Sequence, residues 1–390
     1  MKRHVQLAVM LLFLIQNCYF AQSINSEVLK PVNSTSIVTD ETVSEVVPLI
    51  KKIRVNALLI GDYGASLTKN VDINGKHYAE GAPSSDGFYL RYVRFQANMD
   101  LTQNISAQVL VNLADFKEDP QTKVLEIATV KYRFNNYATF QIGQFRPYFG
   151  LEDRYSSDIH KSYTWSNQYS LFGKNHWQSF QLGAALFGSL EDNKIPLKYF
   201  YTFSNANGKN QKGDSDNYKT HSFRVEYAPV KGISLGTNVA FGGVKGETTN
   251  AYGADFNIEK KINNKWYLGL DGEYKQGSNI LAFNASTISD KRADDYRMQG
   301  VYVTPLIRMY TGNQTFFDAV EFSCRYEYLE ELIENGNPSR TYTPMISIIM
   351  GETYQSKVSL VGNLTTYNTQ IPNSTQWDNN QFLVQYQFRY

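Results

Sequence analysis

The chain has 390 residues, with 38 Lys and Arg against 37 Asp and Glu, and a net charge of +1. That balance excludes a polybasic nucleic-acid binder and an acidic tail protein, and no nucleic-acid partner is expected. Tyr and Phe, at 28 and 23, far outnumber Trp at 4, and Gly reaches 26, a composition of strands and turns.

The chain opens with the basic cluster Met1-Lys-Arg-His4 and the apolar run Val5–Ile15, too short to span a bilayer as a helix and suited to the apolar core of an export signal. Cleavage after Ala21 is expected, although Tyr19 fits the small-residue rule poorly. Cys18 raises a lipoprotein alternative, but Ile15-Gln16-Asn17 lacks the small residues of such a site. With residues 1–21 removed, Cys324 is the sole cysteine, so no intrachain disulfide can form. Beyond the signal no run approaches the ~18 apolar residues of a membrane helix, and the mean hydropathy is −0.41. Residues 22–52 carry Pro31 and Pro48 and no lasting period, which reads as a flexible periplasmic leader.

From Ile53 the period becomes two. Ile53, Val55, Ala57 and Leu59 share one face, and Val93, Phe95, Ala97 and Met99 oppose Arg94, Gln96 and Asn98. Ile105, Ala107, Val109, Val111 and Leu113 oppose Ser106, Gln108, Leu110, Asn112 and Ala114. Strands follow at 124–134 and 137–145, then residues 146–176 run without alternation. The pattern resumes near 177–187, 197–204, 220–228, 233–243, 251–260, 265–275, 295–304, 318–329, 341–350 and 356–366. It ends at 381–390, where Phe382, Val384, Tyr386, Phe388 and Tyr390 alternate with Gln381, Leu383, Gln385, Gln387 and Arg389.

About sixteen strands result, and an even count returns both ends of the barrel to one side of the sheet. The connections near 100–104, 135–136, 229–232, 261–264 and 351–355 are short, and those near 146–176, 205–219, 276–294, 330–340 and 367–380 are long, as in a barrel with turns at one rim and loops at the other. Residues 305–317 break this rule unless the preceding strand continues through Pro305 to Tyr310 as a bulge. The alternative is an exported sandwich or propeller, which also alternates. Ten-residue strands, the aromatic end and the loop asymmetry favour an all-β fold: a closed antiparallel transmembrane β-barrel over 53–390.

The segment Gly143-Gln-Phe-Arg-Pro-Tyr-Phe-Gly-Leu-Glu152, with Ser156-Ser157 after it, resembles the strand-to-loop motif of the phosphate-selective porin O and P family. A second match is Gln181-Leu-Gly183 and Phe187-Gly188 ahead of Leu197-Lys-Tyr199 and Asn205-Ala-Asn-Gly208. Two departures stand out: Tyr148 separates Pro147 from Phe149, and Phe180-Gln181 replaces a basic-acidic pair. The resemblance implies a sixteen-stranded, trimeric outer-membrane porin whose third extracellular loop folds into the lumen, and by strand count residues 146–176 are that loop. It implies partners too: outer-membrane lipid, small hydrophilic or anionic solutes, and the barrel-assembly machinery, met through the C-terminal strand.

A pore does no bond chemistry, so charge at its narrowest point decides which solute it prefers. Candidate lumen bases are Arg54, Arg94, Lys131, Arg133, Lys198 and Arg224; the acids Asp255, Glu259, Asp271, Glu273, Glu321 and Glu327 come later, which predicts a field across the pore. The loop adds Arg146, Arg154, Lys161 and Lys174, together with Glu152, Asp153, Asp158 and Tyr155. That mixture predicts weak anion preference, and the family resemblance implies phosphate or polyphosphate among the anions. Tyr89, Trp177, Trp266, Tyr328 and Tyr390 are expected at the membrane interfaces. His160 and His176 share the loop with serines, the basis of a hydrolase alternative, and a plugged, adhesive barrel is the other. No metal-ligand spacing or nucleotide fingerprint occurs, so neither an enzyme nor a cofactor is expected.

Overall fold

A computed structural model describes residues 52–390, apart from 118–123, 212, 215–216, 289–290, 313–315 and 352–353. The expected signal and leader lie outside these residues, save Lys52, with which the first strand starts. The strands are β1 (Lys52–Ser66), β2 (Asp86–Asp100), β3 (Ile105–Asn112), β4 (Leu125–Arg133), β5 (Thr139–Phe145), β6 (Gln181–Ser189), β7 (Leu197–Ser204) and β8 (Thr220–Val230). The second half comprises β9 (Ile233–Val244), β10 (Glu247–Lys261), β11 (Trp266–Ser278), β12 (Arg297–Tyr310), β13 (Ala319–Glu330), β14 (Ser339–Met350), β15 (Ser356–Tyr367) and β16 (Asn379–Arg389). Each pairs antiparallel with its chain neighbours, and β1 closes on β16 from Leu58↔Arg389 to Ser66↔Gln381. The result is a closed sixteen-stranded barrel.

The two faces of the wall are inverted relative to a water-soluble protein. Along β13, Glu321, Ser323, Arg325 and Glu327 are buried while Phe322 is 49% exposed. Phe95, Val109, Ile142, Phe223 and Phe388 continue the exposed apolar face around the ring. Such a surface is unfavourable in water, at roughly 25 cal/mol per Å² of apolar area, and is favourable only against hydrocarbon.

β12 does run through Pro305 to Tyr310, but without a bulge: the register with β13 is the same before and after the proline, from Val303↔Tyr326 to Leu306↔Ser323. The proline only leaves out a ladder donor. A true shift lies in β2, where Arg91 is inserted between Ile60↔Tyr92 and Gly61↔Leu90. One added residue flips everything beyond it to the other face. Tyr89 consequently faces inward as the partner of Asp62, not toward a membrane interface. Trp177 is a second correction, since it is fully buried against Phe149 and Phe172 and donates its indole N–H to the Ser278 carbonyl at 2.9 Å. At the long-loop rim one connection is a two-residue turn, Lys245-Gly246, with φ of 48° and 87°. Positive φ at both central residues is the turn that matches strand twist.

Candidate functional site

The segment between β5 and β6 contains the helix α1 (Asn167–Lys174), capped by Ser166, whose hydroxyl accepts from the Tyr169 N–H at 3.0 Å. Glu152 supports the cap: it accepts from the Ser166 N–H at 2.8 Å and from the Ser166 hydroxyl. Asp153 accepts from the Tyr169 hydroxyl at 3.1 Å. Burial pushes the Asp153 carboxyl up to about 7 and also raises Glu152, while burial and then Arg146 hold His160 well below the usual imidazole range.

The segment is fastened to inward-facing side chains all around the ring. On β11, Glu273 accepts from the Leu151 N–H at 2.8 Å and pairs with Lys275 at 2.9 Å. Gly150 makes this approach possible, with φ of 104° and room only for hydrogen, because a Cβ would sit 2.2 Å from Glu273 Oε1. Lys161 pairs with Asp271 at 2.7 Å and with Glu259 on β10 at 3.1 Å. Arg325 on β13 donates to the Thr164 carbonyl at 2.6 Å, and Glu327 accepts from the Asn167 N–H at 2.5 Å. Gln385 and Gln387 on β16 donate to the Tyr163 and Asp158 carbonyls, each at 3.0 Å. On β2, Tyr92 accepts from the Trp165 indole at 2.8 Å and Arg94 donates to Ser157.

Two cavities flank this segment. One, of about 610 Å³ toward the short-turn rim, is lined by Arg94, Arg146, Arg154, Arg389, Ser156 and Ser157, with Asp158 as its acid. The other, of about 400 Å³ toward the long loops, is lined by tyrosine, tryptophan and amide side chains.

Of the ten residues singled out in the sequence, Arg94, Arg146 and Arg154 meet at the first cavity. Arg94 pairs with Glu126 at 2.7 Å and Arg154 with Glu226 at 2.9 Å. Arg146 donates to the Glu152 and Tyr155 carbonyls and lies 5.0 Å from Trp165 and 5.8 Å from Phe180. Lys161, Glu152 and Tyr155 serve the loop's own fastening, Tyr155 reaching Asp271 at 3.5 Å. Lys131 and Arg133 line a separate cavity of about 440 Å³ with Asp100 and Thr139. Lys198 pairs with Glu191 at 3.3 Å, on a side chain 40% exposed.

Arg224 pairs with Asp255 at 2.6 Å, two strands away. That pair is typical and corrects the expected field across the pore. Glu273, Glu321 and Glu327 take Lys275, Arg308 and Arg325 as partners, at 2.9, 2.5 and 2.7 Å. Adjacent opposite charges cancel at a distance, so these pairs set up no field across the pore. Sequence reading missed Arg389 as a site residue although its alternation marks the wet face; it pairs with Asp158 at 2.7 Å. His160 stacks edge-on against Trp165 at 4.0 Å, while His176 lies beside Gly208.

Residues 69–303 match the family described as phosphate-selective porin O and P. No curated protein matches the chain. Among solved structures, the fold is similar to the outer-membrane channel DcaP of Acinetobacter baumannii, with a TM-score of 0.56 at 9% identity over 87% of this chain and 97% of that one. OmpF of Salmonella typhi, solved with daunomycin, gives 0.56 at 10% identity over 87% and 97%. OmpT of Vibrio cholerae in its trimer form gives 0.52 at 9% identity over 87% and 99%.

Proposed function

This chain belongs to the phosphate-selective porin O and P family, and from that membership we propose a porin that prefers anions weakly, with phosphate or polyphosphate among them. It is an outer-membrane porin, a channel rather than an enzyme, and the anion preference is the further step. We place that preference at the cavity lined by Arg94, Arg146, Arg154 and Arg389. The observation that carries it is Arg146. The other three arginines pair with Glu126, Glu226 and Asp158, whereas Arg146 has no carboxylate partner among the described residues and spends its donors on carbonyls. A guanidinium outside any ion pair, although Asp153 lies within its field, favours a passing anion by about 1 to 4 kcal/mol in a narrow, partly dry place.

The segment between β5 and β6 is proposed as the constriction, supported by its bonds to inner-face residues of β2, β11, β13 and β16. A homotrimer is proposed on the OmpT precedent and the family. Residues 1–21 as export signal, 22–52 as periplasmic leader and the C-terminal strand as the assembly signal complete the reading.

Reversal potential in a potassium chloride gradient tests the preference in planar bilayers. A modest potential of the anion-selective sign is expected. A cation-selective sign would remove the anion reading and leave the porin standing.

A further inference from the structure

The cavity toward the long loops is chemically unlike its counterpart. It measures about 400 Å³, and its aromatic lining is Tyr89, Tyr163, Tyr367 and Trp377. Its polar lining is dominated by amides, Asn74, Asn363, Asn379 and Gln381 among them, and Lys174 and Glu331 are its only charged residues among those described. We propose that this vestibule is a binding site for a short neutral saccharide, which enters here before the constriction.

The chemistry follows from the lining. A sugar ring presents an apolar C–H face that stacks on an aromatic ring, and hydroxyls around its edge. Trp and Tyr offer an apolar body with a polar tip, and an amide offers a donor pair and an acceptor at fixed separation. The volume falls within the ordinary range of small-molecule sites, about 300–1,000 Å³. A site built for an anion would instead gather cations, as the other cavity does.

Trp377 is held for this use. His77 stacks on one face of the indole at 3.8 Å, and Trp377, half-buried, lines the cavity. His77 is itself fixed between two loops: its N–H donates to the Ser374 carbonyl at 2.9 Å, and its Nδ1 accepts from the Asn373 N–H at 3.3 Å. Asn379 adds an independent sign. It is 7% exposed, and its carbonyl oxygen has no hydrogen-bond partner among the described residues. A buried acceptor without a donor is unfavourable, and a ligand hydroxyl would satisfy it.

This inference goes beyond the anion reading and uses other residues. Isothermal calorimetry of the full chain in detergent, titrated with maltotriose, tests it without requiring conduction. Saturable heat is expected, weakened at least tenfold by Trp377→Ala and clearly by Asn379→Leu. Trp377→Phe, which keeps an aromatic face on His77, should stay within about threefold of the wild type and so separate lost stacking from loop collapse. No saturable heat in the wild type would overturn the proposal, as would binding untouched by both Trp377→Ala and Asn379→Leu. Displacement of maltotriose by equimolar inorganic phosphate would also overturn it, since the site would then be anionic in preference. The phosphate-to-chloride conductance ratio, read on the same preparation, reports the anion reading separately.

Discussion

The two cavities on either side of the segment between β5 and β6 share one ring of strands yet differ in chemistry. The one toward the short turns is lined by four arginines, and the one toward the long loops by aromatics and amides. The wall between them is a matched set of ion pairs and has no sign of its own. In this barrel, then, character is conferred by what the loops and strand ends bring to each mouth, and the cylinder supplies a neutral sleeve. The barrier proposed between the chambers is one loop, which bonds to β11.

Unseating that loop should therefore produce the largest effect. Gly150→Ala introduces a Cβ at a φ of 104° and 2.2 Å from Glu273 Oε1, against a carboxylate held by Lys275. Backbone strain of this kind is worth about 1–3 kcal/mol; a change of about 3 kcal/mol shifts the docked-to-open ratio roughly a hundredfold. A marked rise in single-channel conductance is expected, with loss of selectivity as the chambers merge. Unchanged conductance would mean the loop does not separate them.

Arg146→Gln leaves the barrier in place and removes one chamber's bias. One charge acting at about 4 Å is worth about 1 kcal/mol in water, roughly a fivefold factor. The phosphate-to-chloride conductance ratio should fall by about that much. An equal fall on mutating Arg224, neutralised by Asp255 and Glu226, would show that pairing does not matter and sink the contrast.

A smaller, graded effect is expected from pH. Asp153 is raised by burial from 3.8 to about 7 in the folded loop. The folded state then binds the extra proton, so docking is strongest below the unfolded value and weakens as pH rises from about 4 toward about 7. At about 1.4 kcal/mol per unit, roughly three units set an upper bound near 4 kcal/mol. Open-channel noise should be greater at pH 8 than at pH 5, and Asp153→Asn should flatten that dependence. A stronger loop at pH 8 would reverse the sign and refute it.

How much of this could be read from the chain follows from what period two encodes. Strands such as β13 and β16 were legible because lipid and water impose alternation on every second residue, and the long gap after β5 was legible as missing alternation. The insertion at Arg91 was not, since an extra residue in β2 carries no compositional mark, and Tyr89 was placed on the wrong face in consequence. Trp177 was misread for a related reason: an aromatic at a strand end suits an interface as well as a loop core. Nor was the charge pairing visible. Lys161 meets Asp271 across 110 residues, and only the closed register brings them to 2.7 Å. Three of the four arginines of the inner chamber are named in the sequence analysis, but that Arg146 alone of the four makes no ion pair is a fact of three dimensions.

The smallest effect expected is none, and it tests the premise beneath the comparison. Cys324 lies on the outer face of β13, between Phe322 and Tyr326 along the strand and beside Pro305 and Pro344 on its neighbours. If that face meets hydrocarbon, the thiol is out of reach of any reagent confined to water. In liposomes a charged, water-soluble maleimide should leave Cys324 unlabelled, whereas the urea-unfolded chain should react fully. Cys324→Ser should leave conductance and the phosphate-to-chloride ratio unchanged, because nothing on that face contributes to either chamber. Labelling from the aqueous side of the folded protein would place Cys324 in the lumen and exchange the two faces of β13. Glu321, Arg325 and Glu327 would then point into lipid without the water that ion pairs at a pore wall require, and the assignment of both chambers would fail with them.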